Sequence, residues 1–474
     1  MRISRAALTL VLALAGCALR PPPSQPEILA SALPAETVIP HEWIADRYPG
    51  AVTNDWLSAF NDPVLDAILA EALANNLDLL QAADKVEVAR QMVTVVGAKL
   101  LPQIGGKIAG KRTHDFGDED YIKHTHSHTV AALNIAWEMD VWGRLRSQRA
   151  AAEAEYDAGV FEYAYAQQSL AATVALNWYL TTETYQLLQL AERAVEIYAG
   201  LLQLAEIRRD SGKSTDLDVV DARARMETAM SELQSARIDF DRARRTLEVL
   251  LGRYPAAEIQ AAPHYPPLPP PVAAGLPATL LERRPDILAA EYRVLAAFRK
   301  REAVRLALLP DFSLSLTAER LGDHLLEVLH LSPYRASVEM GATVPIYEGG
   351  ALCAYLNIAT AEQAQAVAHY GSVVLNAFRE VENAIASEAL LARQLEYAQR
   401  ALADRTRAVE IARVQYRAGR RDLLWVEELQ AGQIAAEAKV IQLRNARIAN
   451  RIRLHLALGG SFGGGLAAPG GLSK

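Results

Sequence analysis

The sequence is poor in cysteine and in aromatic residues, with two Cys and 7% Phe, Trp and Tyr among 474 residues. Two cysteines cannot build a disulfide scaffold or a multi-cysteine zinc site. Beyond the first twenty residues no segment offers the eighteen or so consecutive apolar residues of a membrane-spanning helix, so any crossing of a bilayer has to be made of strands. A basic excess is also missing, with 49 Lys and Arg against 56 Asp and Glu, and that argues against a dedicated nucleic-acid binder. What is present in surplus is apolar character, 51% of the chain, carried mainly by Ala and Leu. Those are residues of long packed helices.

Proline is absent from two long stretches, 103–254 and 346–468, and crowded between them from Pro255 to Pro285. Because proline breaks helix interiors, the pattern reads as two helical stretches joined by a proline-rich linker. The halves also repeat. Leu101-Pro102 matches Leu309-Pro310, Gly143 with Leu145 matches Gly350 with Leu352, and Gly212 with Leu217 matches Gly419 with Leu424, all at nearly one offset. Anchors of one kind in one order indicate a duplicated unit of about two hundred residues.

Within each unit the periodicity changes from helical to alternating and back. Phe312, Leu314, Leu316 and Ala318 alternate with Ser313, Ser315, Thr317 and Glu319, and Val338, Met340, Ala342 and Val344 alternate with Ser337, Glu339, Gly341 and Thr343. Each predicts a strand with one apolar and one polar face. In the first unit Ala131, Leu133, Ile135 and Trp137 alternate less tidily, and a strand near Ile104 to Lys111 is only weakly marked. After each strand pair, apolar residues step by three and four. Leu187, Leu190, Ala194, Ile197, Leu201 and Leu204 form one seam, and Leu188, Ala191, Val195, Tyr198, Leu202 and Ala205 run beside it. Two seams suit a helix packed on both flanks, as in a closed cylinder. Gly212 and Gly419 mark the turns between helices. Four strands cannot close a membrane barrel, which takes at least about eight, so the chain must associate; two, three or four copies all satisfy that arithmetic.

At the N-terminus, Arg2 and Arg5 precede an apolar run from Ala6 to Ala15, the form of a secretory signal. Its end, Leu14-Ala15-Gly16-Cys17, resembles the bacterial lipobox, which makes Cys17 the expected site of a covalent diacylglycerol and N-acyl lipid. Ala18 after the cysteine resembles lipoproteins sent on to the outer membrane. Cys353, the other cysteine, then has no intramolecular partner.

Trp137-Glu138-Met139-Asp140-Val141-Trp142-Gly143-Arg144-Leu145, the linker motif from Leu281 through Arg283-Arg284-Pro285-Asp286 to Glu291, and Pro345-Ile346-Tyr347-Glu348-Gly349-Gly350 together resemble the outer-membrane efflux channel family, TolC-like, in its lipoprotein NodT-type branch. The resemblance implies a mainly α protein with a small β part: a homotrimer with a twelve-stranded β-barrel in the outer membrane, four strands per chain, continued by a long periplasmic α-helical barrel. It also implies a passive duct without enzymatic chemistry or cofactor. The duct would be served by a periplasmic adaptor and an inner-membrane pump of the resistance-nodulation-division class, and would export drugs or other toxic small molecules. A type I protein secretion duct and a metal-cation exporter are the alternatives, and a non-conducting coiled-coil lipoprotein is a third that the alternating strands oppose.

The organisation expected is a signal peptide over 1–16, a lipidated extended segment over 17–62, a first repeat over 63–254, the linker over 255–284, a second repeat over 285–458, and a glycine-rich disordered tail over 459–474. By resemblance, the periplasmic gate falls at the hairpin tips, with Tyr416, Leu424 and Glu428 as constriction residues. Asp221, the repeat counterpart of Glu428, and Asp218 one turn before it are expected to add acidic rings that attract cations. Gln415 and the basic pair Arg420-Arg421 depart from the family pattern, so Arg417, Arg420 and Arg421 are expected to form gate ion pairs with Asp210 or Asp422. Simple solvated turn charges are the even alternative.

Enzyme motifs fail. Gly212-Lys213-Ser214 resembles the end of a phosphate-binding loop, but Ile207 stands where that loop needs its first glycine. No Gly-x-Ser-x-Gly elbow is present. His124, His126 and His128, with His114 nearby, are expected in a loop between the first two strands and are weak metal candidates at most.

Overall fold

The computed structural model describes residues 20–45, 50, 52, 54–116, 122–322 and 334–460. The signal segment, Cys17 and the tail from 461 lie outside the described residues. The elements in chain order are α1 (Gln25–Ala32), α2 (Pro63–Asn75), α3 (Leu77–Gly97), β1 (Gln103–Phe116), β2 (Ile122–Met139), α4 (Arg144–Asp210), α5 (Asp216–Leu250), α6 (Pro277–Arg283), α7 (Pro285–Leu306), β3 (Asp311–Gly322), β4 (Arg335–Thr343), α8 (Ala351–Arg417) and α9 (Leu423–Ala457). Helix, two strands and a long helical hairpin therefore occur twice. α4 and α8 have 67 residues each, and α5 and α9 have 35 each.

The compact units do not coincide with the repeats. One unit takes Met1–Thr37, Lys85–Val160 and Ala289–Ser372; the other takes Val38–Asp84, Phe161–Leu288 and Val373–Lys474. Each draws on both repeats, so the duplication is a unit of sequence rather than of packing.

The first unit holds one antiparallel sheet in the order β1-β2-β3-β4. β1 and β2 are longer than the alternation indicated, because β2 begins at Ile122 and pairs with β1 as far as Phe116. This is a correction for the histidines: His124, His126 and His128 are paired strand residues, opposite Asp115, Thr113 and Lys111, and not loop residues. At the strand-to-helix switch, Asp140 accepts from the backbone N–H of Leu145 (3.0 Å) and Arg146 (2.9 Å), capping α4. Gly143, at φ +87°, makes the sharp turn between them. Trp142 donates its indole N–H to Pro310 O at 2.8 Å, and Arg144 pairs with Glu138 and Asp311. The tryptophan-rich motif is thus the joint that fastens the end of β2 to the start of β3. On α8, a Cβ at Gly371 would sit 2.5 Å from Ala32 O, so glycine is what lets the end of α1 lie against that helix.

The second unit is helical. Trp56, Phe60 and Leu65 pack with Ala171, Ala175 and Trp178 of α4 and with Ile448 and Ile452 of α9. Asp62 serves twice, capping α2 through Val64 N and Leu65 N and accepting the Trp178 indole N–H at 2.8 Å. In the linker motif Arg284, only 3% exposed, forks onto Asp286 (2.9 and 2.7 Å), reaches Glu380 at 2.8 Å, and donates to Ala457 O. A buried guanidinium needs partners on every side, and here they come from α7, α8 and the end of α9. The buried stripe of α4 runs Leu190, Ala194, Tyr198, Leu201, Ala205. It weaves between the two seams read from the sequence instead of following either one.

Candidate functional site

Two regions carry the chemistry of the molecule: one face of the sheet, and the tips where the helical hairpins turn.

Strand register sorts the sheet into rows. Ile104 lies opposite Ile135, Ile135 opposite Leu316, and Leu316 opposite Val338, an aliphatic row across all four strands. Gly106, Leu133, Ala318 and Ala336 form the next row, and Trp137, Leu314 and Met340 flank it on the other side. The intervening rows are polar: Gln103, Ala136, Ser315 and Glu339, then Gly105, Asn134, Thr317 and Ser337. Alternation along each strand produces this, because side chains point to opposite faces with period two. Among the described residues nothing covers the apolar rows, and Ile104, Val338 and Met340 are 70%, 70% and 74% exposed. Trp137, near the end of that face, donates its indole N–H to Leu100 O. Such a sheet is built for hydrocarbon on one side and water on the other.

At the other region, both hairpins stop the same way. Gly212 (φ +68°) ends α4, with Lys213 N donating to Arg208 O at 2.8 Å; Gly419 (φ +71°) ends α8, with Arg420 N donating to Gln415 O at 2.9 Å. The left-handed glycine lets these last carbonyls be satisfied before the chain reverses. The five gate candidates then separate by environment. Leu424, 51% exposed, and Glu428, also exposed, stand one helical turn apart on the free side of α9. Tyr416 does not join them. It is 4% exposed, part of a buried apolar cluster that also holds Ala205, Val219, Ala222 and Leu423, beneath the Arg208 guanidinium 4.4 Å from its ring centre. Burial pushes its phenol above the usual range.

Asp218 is occupied as well. Its carboxylate accepts from the hydroxyls of Ser214 and Thr215 and from Thr215 N (2.9 Å), a capping box that closes the first turn. Those hydrogen bonds hold its carboxyl below the ordinary range. Asp221 accepts from Arg225 Nε at 3.0 Å. The expected gate ion pairs are replaced: among the described residues none joins Arg417, Arg420 or Arg421 to Asp210 or Asp422. Asp210 pairs with its neighbour Arg209 at 2.7 Å, Asp422 caps α9 through Trp425 N at 3.1 Å, and Arg421 lies over the Trp425 ring at 4.8 Å. Helix ends claim these carboxylates first because cap geometry is local, whereas a pair across the turn must order two long exposed side chains.

The sequence profile of the outer membrane efflux protein family matches residues 68–253 and again 276–460. The chain belongs to that family. As an outer-membrane efflux protein it is 29% identical over 457 residues to the cation efflux system protein CusC of Escherichia coli, covering 95% of this chain and 97% of that one. It is 30% identical over 475 residues to the toluene efflux pump outer membrane protein TtgF of Pseudomonas putida, covering 98% of each. A solved CusC structure superposes with a TM-score of 0.77 at 27% identity, covering 90% of this chain and 99% of that one. Structures of this fold are trimeric channels that combine a β-barrel with a helical barrel, and the mainly α chain with four strands has that fold. An efflux protein of this family is an outer-membrane channel component that extends into the periplasm, and the family is one of ducts rather than enzymes.

Three residues of the efflux protein's tip escaped the sequence reading: Arg208, Arg225 and Glu427. Arg225 Nε is 3.0 Å from Glu427 Oε2, and Glu427 is 1% exposed. A signal existed. Leu423, Val426, Glu427 and Gln430 are all buried and follow the i, i+3, i+4, i+7 spacing of one helix face, which takes in Glu427 and leaves Leu424 and Glu428 outside.

Proposed function

We propose that three copies of this chain close a twelve-stranded barrel in the outer membrane and form a passive exit duct for drugs or other toxic small molecules. An inner-membrane pump of the resistance-nodulation-division class feeds it through a periplasmic adaptor, and a diacylglycerol and N-acyl lipid on Cys17 anchors each chain. The observation that carries this reading is the sheet: among the described residues its apolar face is bare and both edge strands, β1 and β4, lack a second partner strand. In hydrocarbon an unpaired strand edge costs several kcal/mol per group, and neighbouring copies that join β4 to β1 remove every edge. Leu424 and Glu428, exposed beside the second turn, form the constriction, with three carboxylates attracting cations.

Cargo is not set by overall likeness, since relatives of nearly equal identity are named for cations and for toluene. Small-molecule efflux is the main reading. Cation export is the second; the run His124, His126, His128 at alternate positions of β2 favours it.

Single-channel recording of the purified, lipidated protein in a planar bilayer tests the proposal. Small cation-selective currents whose selectivity falls in Glu428→Gln are expected. Absence of conductance in wild type and in Leu424→Ala alike would sink the duct. A Cys17→Ala chain that still fractionates with the outer membrane through a lipid would remove the anchor assignment.

A further inference from the structure

At the hairpin tips one nitrogen serves two carboxylates. Arg225 Nε lies 3.0 Å from Asp221 Oδ2 on its own helix, α5, and 3.0 Å from Glu427 Oε2 on α9. A single N–H cannot satisfy both acceptors fully. The Asp221 and Glu427 carboxylates thus converge on one nitrogen, and Glu427 Oε1 is buried with no hydrogen-bond partner.

Among the described residues Glu427 forms its ion pair with Arg225 alone. α5 contributes Asp218, which is engaged by Ser214 and Thr215, besides Asp221 and Arg225. α4 contributes the phenol of Tyr198 and Arg208, whose guanidinium is spent on the Tyr416 ring and on Tyr416 O at 3.1 Å. α8 contributes the Tyr416 phenol and Arg413, whose guanidinium donates to Gln430 Oε1 at 2.9 Å one turn along α9. Two carboxylates that converge on one nitrogen, one of them fully buried, face one guanidinium. The residual negative charge has to be cancelled, and the small group that cancels it while supplying the missing hydrogen bond is a proton.

We propose that Glu427 and Asp221 share a proton that latches α9 to α5, so that the packing of the two hairpin tips is held while the proton is bound and loosened when it leaves to solvent. As a proton site the latch stands on this geometry alone; as a regulator of the duct it rests on the channel reading above.

The direction follows from linkage. The Glu427 carboxyl is pushed up to about 7, first by burial, with Asp221 and Asp218 adding and Arg225 opposing. In separated tips it would titrate near an ordinary glutamate, about 4.3. A group whose value is raised in the packed state contributes stability that is fully present below the unpacked value and lost as pH rises through the packed one. The latch therefore weakens as pH rises from about 4.3, by about tenfold in the pairing constant per pH unit, until about pH 7, above which both states are ionised and the dependence ends.

The full-length protein is used for the test, with spin labels at exposed Val220 of α5 and Ala435 of α9. Infrared difference spectra follow protonated carboxyl groups in parallel. From about pH 4 to about pH 8 the wild type is expected to lengthen or broaden the label distance and to lose one protonated-carboxyl band. Glu427→Gln lacks the band and keeps the short distance throughout, while Asp221→Asn moves the midpoint to lower pH. A band that persists in Glu427→Gln, or a wild-type distance that ignores pH, overturns the latch. Bilayer recordings separate the two readings. Conductance that rises with pH in wild type and is flat in Glu427→Gln carries the latch to the gate, and conductance flat in both denies it that role. A titrating band in a protein that never conducts sinks the duct while the proton site stands.

Discussion

The two hairpin tips share a backbone and differ in wiring. Each ends its long helix with a left-handed glycine and the same pair of reversed hydrogen bonds. Beyond that point they part. The first tip closes on itself, with Ser214, Thr215 and Asp218 bound to one another across the turn. The second has one cap, Asp422, and exposes Arg417, Arg420 and Arg421 to solvent. Where the second tip buries Tyr416, the corresponding position of the first carries Arg209, paired with its neighbour Asp210. The first tip is self-sufficient, whereas the second is held by the first, through Arg208 on Tyr416 and Arg225 on Glu427. A duplicated hairpin can thus keep its stop signal in both copies and still divide the roles of post and door.

This asymmetry makes unequal demands on equivalent positions. The largest effect is expected at Tyr416→Ala, which empties a closed site and costs about 3 kcal/mol in unfolding experiments, while Arg209→Ala stays within about 0.5 kcal/mol. Tyr416→Phe should cost less than about 0.5 kcal/mol, since the buried hydroxyl has no hydrogen-bond partner to lose. A large loss in the Phe variant would mean that the hydroxyl, and not the ring, is the anchor. Next come Gly212→Ala and Gly419→Ala, each expected to cost about 1 kcal/mol through left-handed strain, equally in the two tips. Unequal costs would break the claim of a shared stop.

Acid sharpens the contrast. Because the Asp218 carboxyl is held below its ordinary range, its contribution is present above about pH 4 and lost as pH falls through its lowered value. Amide exchange in the first turn should therefore speed up in acid, and Asp218→Asn should abolish that dependence. Glu427 acts in the opposite sense, and the second tip should tighten as pH falls from about 7 to about 4. The smallest change in stability belongs to Glu428→Gln, within about 0.5 kcal/mol by thermal unfolding, because its carboxylate stands in solvent.

Much of the architecture could be read from local signals. Gly212 and Gly419 stood out as turns, the alternation from Phe312 to Ala318 marked β3, and the proline-free stretches enclosed the long helices, since each depends on neighbours within a few residues. The extension of β2 back to Ile122 could not be read, because Lys-His-Thr-His-Ser-His has no apolar alternation and is drawn into the sheet by pairing with β1. Of the gate candidates, Leu424 and Glu428 are exposed on α9, while Tyr416, Asp218 and Asp221 are engaged in packing, capping and pairing. Neither Arg284, which joins three helices from the linker, nor Arg225, whose partner is about two hundred positions away, announces its contacts in one dimension.

Helices, strands, turns and the bare apolar sheet face follow from short-range chemistry: proline's missing donor, glycine's access to positive φ, and side-chain periods of 2 and 3.6. Which charges are buried is a different kind of fact. Glu427 and Glu428 are neighbours of one type, yet one shares a guanidinium in the core of the tips and the other meets solvent. Their fates diverge by one residue's rotation, about a hundred degrees around α9, and by the arrival of α5 against that face. Burial is set by what the partner helix brings, and that exists only once the hairpins have packed.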